Sequence, residues 1–323
     1  MKYWFKKTFA AVMVVAMLLV SSCSPIVTAD LNANKEEYVV NCVYGDGIDN
    51  KTFTVKAGET LALEAPSREG YEFVGWCKDS ECKYFYDLSE GISSDVTLYA
   101  KWDIDYKYLL ANVSDKVSES CVKVISSTSF GVSSQGSGVI YKIEGKYAYV
   151  LTNSHVVTTS NGTLKKSHTV YDVYGNEYVG TVIKNDAKYD LAVVRFAMKS
   201  SVQLNQSEIL NRFPLENERV ITVSAPNGQY NTVCLGDVSW YSKLDNENVT
   251  GDSSQVNFEV LWIDGSADHG SSGGAVYDKY LKVIGIIYAT VNLADTHETF
   301  VLAIPSSKIV EFLADVTYTD SGN

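Results

Sequence analysis

Apolar residues along this chain fall mostly in short runs rather than in long helical stripes. "CVKVIS", "YAYVLT", "LAVVRF", "RVITVSA", "KVIGIIYA" and "FVLAI" recur between Cys121 and Ile304, separated by Gly, Asn, Asp and Ser. Runs of this length, rich in β-branched and aromatic residues and closed by turn formers, predict strands. Many such strands without intervening helices predict an all-β region of antiparallel barrels or a sandwich. A helical pattern appears in two places. "DIDYKYLLANVSDKVSES" reads as a linker passing into a short helix, and "SSKIVEFLA" as a terminal helix with a serine at its start and Ile309, Val310, Phe312 and Leu313 as its apolar residues.

At the other end, Lys2, Lys6 and Lys7 precede an apolar run from Phe9 to Val20. It is short for a membrane span and of the length of a signal-peptide core, so residues 1–22 are expected to be a cleaved signal peptide. The run closes in Leu19-Val20-Ser21-Ser22-Cys23, which resembles a bacterial lipoprotein lipobox. That resemblance implies a lipid on Cys23, a tether over 23–36, and folded domains held at the outer face of the cell membrane. A plain secretory signal with an incidental cysteine is the alternative.

Between residues 37 and 102, "YVVNCVYGDG", "KTFTVKAGETLAL", "GYEFVGW" and "VTLYAKW" alternate apolar and polar positions around Gly-rich turns, as a small half-buried sheet requires. Gly70-Tyr71-Glu72-Phe73-Val74-Gly75-Trp76 and Thr97-Leu98-Tyr99-Ala100-Lys101-Trp102 resemble the Listeria–Bacteroides, or internalin B-type, repeat. The resemblance implies a β-grasp-like module of bacterial surface proteins without catalytic role; Trp76 and Trp102 are read as core residues of the module, with a ligand platform as the alternative. The remaining divisions are a linker at 103–115, a main domain at 116–316 and a tail at 317–323.

Charge and cysteines narrow the partners. A net charge of −12 with no basic cluster argues against nucleic acid, whose phosphates need clustered Lys and Arg. With Cys23 lipidated, Cys42, Cys77, Cys82, Cys121 and Cys234 remain, an odd number that cannot be fully paired. Cys77 and Cys82 are near enough to bridge across a turn, whereas Cys121 and Cys234 sit in strand-like contexts that suit buried thiols. Four histidines and scattered cysteines offer no zinc spacing, and "GSSGG" leads towards a strand instead of the helix a phosphate loop needs. Neither a metal nor a cofactor is expected.

Three residues carry the chemistry. His155 follows an apolar strand in "YVLTNSHVV", Asp190 precedes one in "YDLAVVRF", and Ser272 lies in "DHGSSGGAV". Acyl transfer needs a hydroxyl activated by a base, a group that orients the base, and donors for the oxyanion. His155 suits the base because imidazole titrates near neutrality, and Asp190 suits the orienting role. The N–H groups of Gly270 and Ser272 are the expected oxyanion donors. Asp186 competes with Asp190 but does not immediately precede the strand, and His168 and His297 lie in polar stretches that read as surface.

The order His, Asp, Ser resembles that of trypsin-like serine proteases, and most closely the DegP/HtrA type. "TNSHVV", "YDLAVV" and "GSSGGAV" match its three motifs, while Val113 to Val124, "GSGVI", "KVIGIIYA" and "LAIPSSKIV" resemble flanking elements. The resemblance spans about residues 113–314 and implies two perpendicular β-barrels, with His155 and Asp190 on the first and Ser272 on the second. Ser271 stands where digestive enzymes have an aspartate, so activation by a buried new N-terminus is not expected; Ala275 replaces the usual proline, and His269 before Gly270 is read as facing solvent. The specificity pocket is expected to use Ser266 and Ala267 together with the strand from Gly285 to Thr290, Gly285, Ile286 and Tyr288 foremost, and the substrate to be polypeptide. The competing readings are a catalytically silent surface adhesin on a protease fold and a regulatory protease that needs activation. Oligomeric state stays open.

Overall fold

The computed structural model describes residues 35–318 except 46, 230, 245–248, 251–255, 294, 295 and 297. The signal peptide, Cys23, nearly all of the tether, His297 and most of the tail lie outside the described residues. The described residues divide into two compact units: those up to Pro66 with Val74–Lys101, and Ser67–Phe73 with those from Trp102 onwards.

The first unit is built on one sheet. Strands β1 (Glu37–Val43), β2 (Lys51–Lys56), β3 (Tyr71–Cys77) and β4 (Val96–Ile104) take the order β2-β1-β4-β3, with β1 antiparallel to β2 and parallel to β4. Period-two alternation explains its inner face: Tyr38, Val40 and Cys42 of β1 are buried while Asn41 between them is exposed. Trp76 is buried edge-on to Tyr44, ring centroids 5.1 Å apart, which is the packing role expected of it.

In the second unit helix α1 (Tyr106–Val117) opens with the Asp105 carboxylate accepting the Tyr108 N–H at 2.9 Å. Leu109, Val113 and Val117 recur every fourth residue and are buried in this unit's main core. The short helix expected after the linker is thus present, and it begins earlier than the linker at 103–115 allowed. Six antiparallel strands follow, β5 (Cys121–Ser127), β6 (Ser133–Glu144), β7 (Tyr147–Thr152), β8 (Ser167–Tyr171), β9 (Glu177–Asp186) and β10 (Leu191–Ala197), closed into a barrel in the order β10-β7-β6-β5-β8-β9. The single-turn helix α2 (Ser154–Val157) lies between β7 and β8.

A second set comprises β11 (Arg219–Ser224), β12 (Thr232–Ser242), β13 (Val249–Thr250), β14 (Val260–Asp264), β15 (Ala275–Tyr277), β16 (Val283–Leu293) and β17 (Thr299–Pro305). Its order is β13-β16-β15-β11-β12-β14-β17, and pairing of β16 with β17 closes a second six-stranded barrel, leaving β13 as an appendage. Helix α3 (Ser306–Leu313) follows directly, burying Ile309 and Phe312 and leaving Val310 exposed.

Why the strands read as continuous apolar runs is visible in β7 and β10. Ala148, Val150, Ala192, Val194 and Phe196 fill the first barrel, while Tyr149, Leu151, Leu191 and Val193 join a separate apolar layer. That layer also takes Ile221, Val223, Tyr277, Ile286 and Tyr288 from the second barrel, whose own interior holds Val220, Val238, Leu261, Val276 and Val301. Strands buried on both faces need apolar residues at every position.

Candidate active site

Two of the three expected residues are held by the first barrel. Strand β7 ends at Thr152, whose hydroxyl donates to the Ser137 carbonyl at 2.6 Å, and the chain turns at once into α2, placing His155 in its first turn. Asp190 lies just before β10 at φ 50°, a left-handed conformation that aspartate tolerates better than most residues. Its carbonyl accepts the Ser154 N–H at 3.1 Å and the Asn153 amide at 3.0 Å, tying the two segments together.

The side chains then meet. Asp190 Oδ2 lies 2.8 Å from His155 Nδ1, and Asp190 Oδ1 accepts the His155 backbone N–H at 3.0 Å. The carboxylate is buried, with its side chain 2% exposed, whereas the imidazole is 40% exposed and faces an open cleft. Asp186, the competing carboxylate, spends Oδ1 on the Lys188 N–H at 2.8 Å within its own turn.

Ser272 sits in a turn knitted to both barrels. Its carbonyl accepts the Ser137 N–H at 2.7 Å, and the Gly273 N–H donates to Ile287 at 2.8 Å. The Ser137 hydroxyl donates to the Gly270 carbonyl at 2.7 Å and accepts the Ala225 N–H at 2.8 Å. Gly270 and Gly273 have φ of 94° and 87°, and a Cβ on Gly273 would stand 2.0 Å from the Ser137 oxygen, so only glycine fits there. Among the described residues no carbonyl takes up the N–H of Gly270 or of Ser272. Buried Ser271 is satisfied locally, by Ser224 Oγ and the Asp268 N–H, both at 3.2 Å.

His155 and Ser272 line one cleft of about 710 Å³, together with Gln135, Ala267, His269 and Tyr288. Of the residues expected at the specificity pocket, Ala267 and Tyr288 are there. Ser266 is exposed and donates to Cys234 Sγ at 3.8 Å, Ile286 is packed in the shared apolar layer, and Gly285 is paired inside the sheet, so these three do not line the cleft. Strand β16 carries a β-bulge at the cleft: Ile287 pairs with Ala303 and Ala289 with Leu302, leaving Tyr288 as the extra residue. Ile287 before it and Ala289 and Thr290 after it, all within the strand expected there, line the cleft as well. Tyr288 is buried, its hydroxyl has no partner among the described residues, and burial with the nearby Asp190 charge pushes its pKa up.

Histidine placement departs from expectation in one case. His269 is exposed at the cleft, as anticipated, but His168 is buried on β8, with Nδ1 2.9 Å from Ser126 Oγ. Its alternation with buried Val170 was the signal in the sequence. Among the described residues there is no group of His, Cys, Asp and Glu able to hold a metal, and no helix long and apolar enough to cross a membrane.

A double six-stranded barrel with this cleft defines a trypsin-like architecture. Residues 136–286 match the trypsin-like peptidase domain and residues 38–101 the Listeria–Bacteroides repeat domain, so the chain carries both. It is 31% identical over 190 residues to a "Serine protease HtrA-like" of Staphylococcus aureus strain USA300, and 30% identical over 190 residues to that of strain MRSA252. Each match takes in 56% of this chain and 23% of the relative, so the chain spans about a quarter of the length of these relatives. Among solved structures, the Rv3671c protease from M. tuberculosis in its active form aligns with TM-score 0.53 and 20% identity, covering 67% of this chain and 89% of the other. The HtrA-type protease AlgW with decapeptide aligns with TM-score 0.51 and 20% identity, covering 64% of this chain and 66% of the other. At such identities these structures speak for the fold.

Proposed function

We propose that this protein is a surface-anchored serine endopeptidase that cleaves polypeptides through Ser272, His155 and Asp190. The observation that carries the reading is the 2.8 Å contact of His155 Nδ1 with a buried Asp190, in the cleft that Ser272 also lines. With Nδ1 held by the carboxylate, Nε2 is the free nitrogen, the one a general base needs towards the serine hydroxyl. Ser272 Oγ then attacks the scissile carbonyl as His155 takes its proton. Asp190 stabilises the imidazolium, and the N–H groups of Gly270 and Ser272 receive the oxyanion. His155 returns the proton to the leaving amine, and water, activated in the same way, releases the acyl group.

The relatives' designation as HtrA-like serine proteases supports the reaction class. Anchoring by a lipid on Cys23 and location at the outer membrane face extend the proposal from the N-terminal sequence alone. In this reading the repeat domain is a spacer or binding module, and Ala267 and Tyr288 form part of the specificity pocket.

A fluorophosphonate probe tests it directly. Labelling of the folded wild type that disappears in Ser272→Ala and falls sharply in His155→Ala is the expected result. A folded wild type that stays unlabelled, even after incubation with candidate substrate peptides, would favour the adhesin reading.

A further inference from the structure

The repeat domain contains a second chemically distinctive place, at the turn that leaves β3. Cys77 is the last residue of that strand and is fully buried, while Cys82 is partly exposed at φ 51°. The turn between them is braced on several sides. Cys82 N–H donates to the Asp79 carbonyl at 3.0 Å, Lys78 N–H to the Tyr84 carbonyl at 2.9 Å, and the Asp79 carboxylate accepts the N–H groups of Lys83 at 3.2 Å and Tyr84 at 3.0 Å. Beyond it Cys77 pairs with Phe85 as an isolated antiparallel bridge. These contacts bring the Cys82 side chain, whose Sγ donates to the Tyr99 carbonyl at 3.9 Å, close enough to act on the Cys77 thiol. Cys42 belongs to β1 of the same sheet and Cys121 and Cys234 to the second unit, so this pair stands apart from them in sequence.

We propose that Cys77 and Cys82 are a redox pair that closes a reversible disulfide across this turn. The oxidant is a disulfide, either a small molecule such as oxidised glutathione or a thiol–disulfide oxidoreductase. Cys82, the accessible partner, attacks as thiolate one sulfur of the oxidant and expels the other as a thiolate, leaving a mixed disulfide on Cys82. Cys77 loses its proton to solvent and attacks Cys82 Sγ, forming the internal bond and expelling the oxidant's second thiolate. Two thiols become one disulfide, and the oxidant's disulfide becomes two thiols. Burial, then the bond with Cys82, pushes the Cys77 thiol up to about 12, which makes the second step the slow one. The closed bond would pin the backbone that carries the exposed side chains of Tyr84 and Phe85.

The test uses the full chain equilibrated with glutathione, mostly oxidised or mostly reduced, then acid-quenched, unfolded, alkylated and analysed as peptides. The expected result in oxidised buffer is a peptide or linked peptide pair containing Cys77 and Cys82, unalkylated and two hydrogens lighter than the dithiol. Reduced buffer restores alkylation at both. Cys82→Ser abolishes the lightened species and leaves Cys77 alkylated, and because Cys82 is partly exposed this variant preserves the buried partner. Alkylation of both residues in oxidised buffer, a stable glutathione adduct on Cys82, or linkage of either to Cys42, Cys121, Cys234 or a second chain would each overturn the proposal.

Discussion

The Ser137 N–H donates to the Ser272 carbonyl at 2.7 Å, so a strand of the first barrel grips the turn that belongs to the second. The grip depends on Gly273, whose missing side chain lets the two backbones approach. Gly273→Ala should therefore push Ser137 away and strain a left-handed residue at once, costing about 3 kcal/mol or more. Thermal melting measures the loss. Fluorophosphonate labelling of whatever remains folded should also fall, because the turn that presents Ser272 is displaced.

Asp190 touches His155 at both its ring and its backbone, and this predicts an effect larger than lost packing. Asp190→Asn keeps the size of the side chain but presents an amide to Nδ1, favouring the wrong imidazole tautomer. A fall of roughly 10⁴-fold in the acylation rate is expected, with little change in melting temperature. Stopped labelling assays give the rate, and an unchanged rate would remove Asp190 from the proposed triad.

Tyr288 buries a hydroxyl that has no partner among the described residues. Tyr288→Phe removes the unsatisfied group and retains the ring, so stability should hold or rise by about 1 kcal/mol. Tyr288→Ala, by contrast, should cost about 3–5 kcal/mol through the cavity it leaves. Denaturant titration of the two variants separates these outcomes, and destabilisation by the Phe variant would mean that the hydroxyl is hydrogen-bonded through water.

Burial holds the His168 imidazole below its ordinary pKa. The unfolded chain therefore binds more protons between that lowered value and about 6.5, and this contribution to stability is whole above about pH 6.5 and declines as pH falls. Comparing melting temperatures at about pH 7.5 and about pH 5.5, the wild type should lose more than His168→Gln, whose amide does not titrate in this range. Equal losses would place the acid sensitivity elsewhere.

The sequence made the barrels and the three motifs legible because each motif adjoins an apolar strand, where local pattern and final position coincide. Asp190 was separable from Asp186 on the same ground. What stayed hidden depends on pairing between distant strands. The bulge at Tyr288 arises only when β16 meets β17, and around it Ile287, Tyr288, Ala289 and Thr290 line the cleft while Gly285 and Ile286 do not. His168 looked like a surface residue from its polar neighbours, although period-two alternation with Val170 pointed inward. Helix α1 was legible only as a short helix at the end of a linker, and its buried Leu109, Val113 and Val117 make it part of the second unit's core.

The apolar layer between the barrels has a consequence for how this unit comes apart. Neither barrel can open without uncovering Tyr149, Tyr277 and Tyr288 to water, since all three are buried in that layer. The slowest amide hydrogens of both barrels therefore exchange through one shared global opening, and a destabilising change in either half shortens the protection of the other.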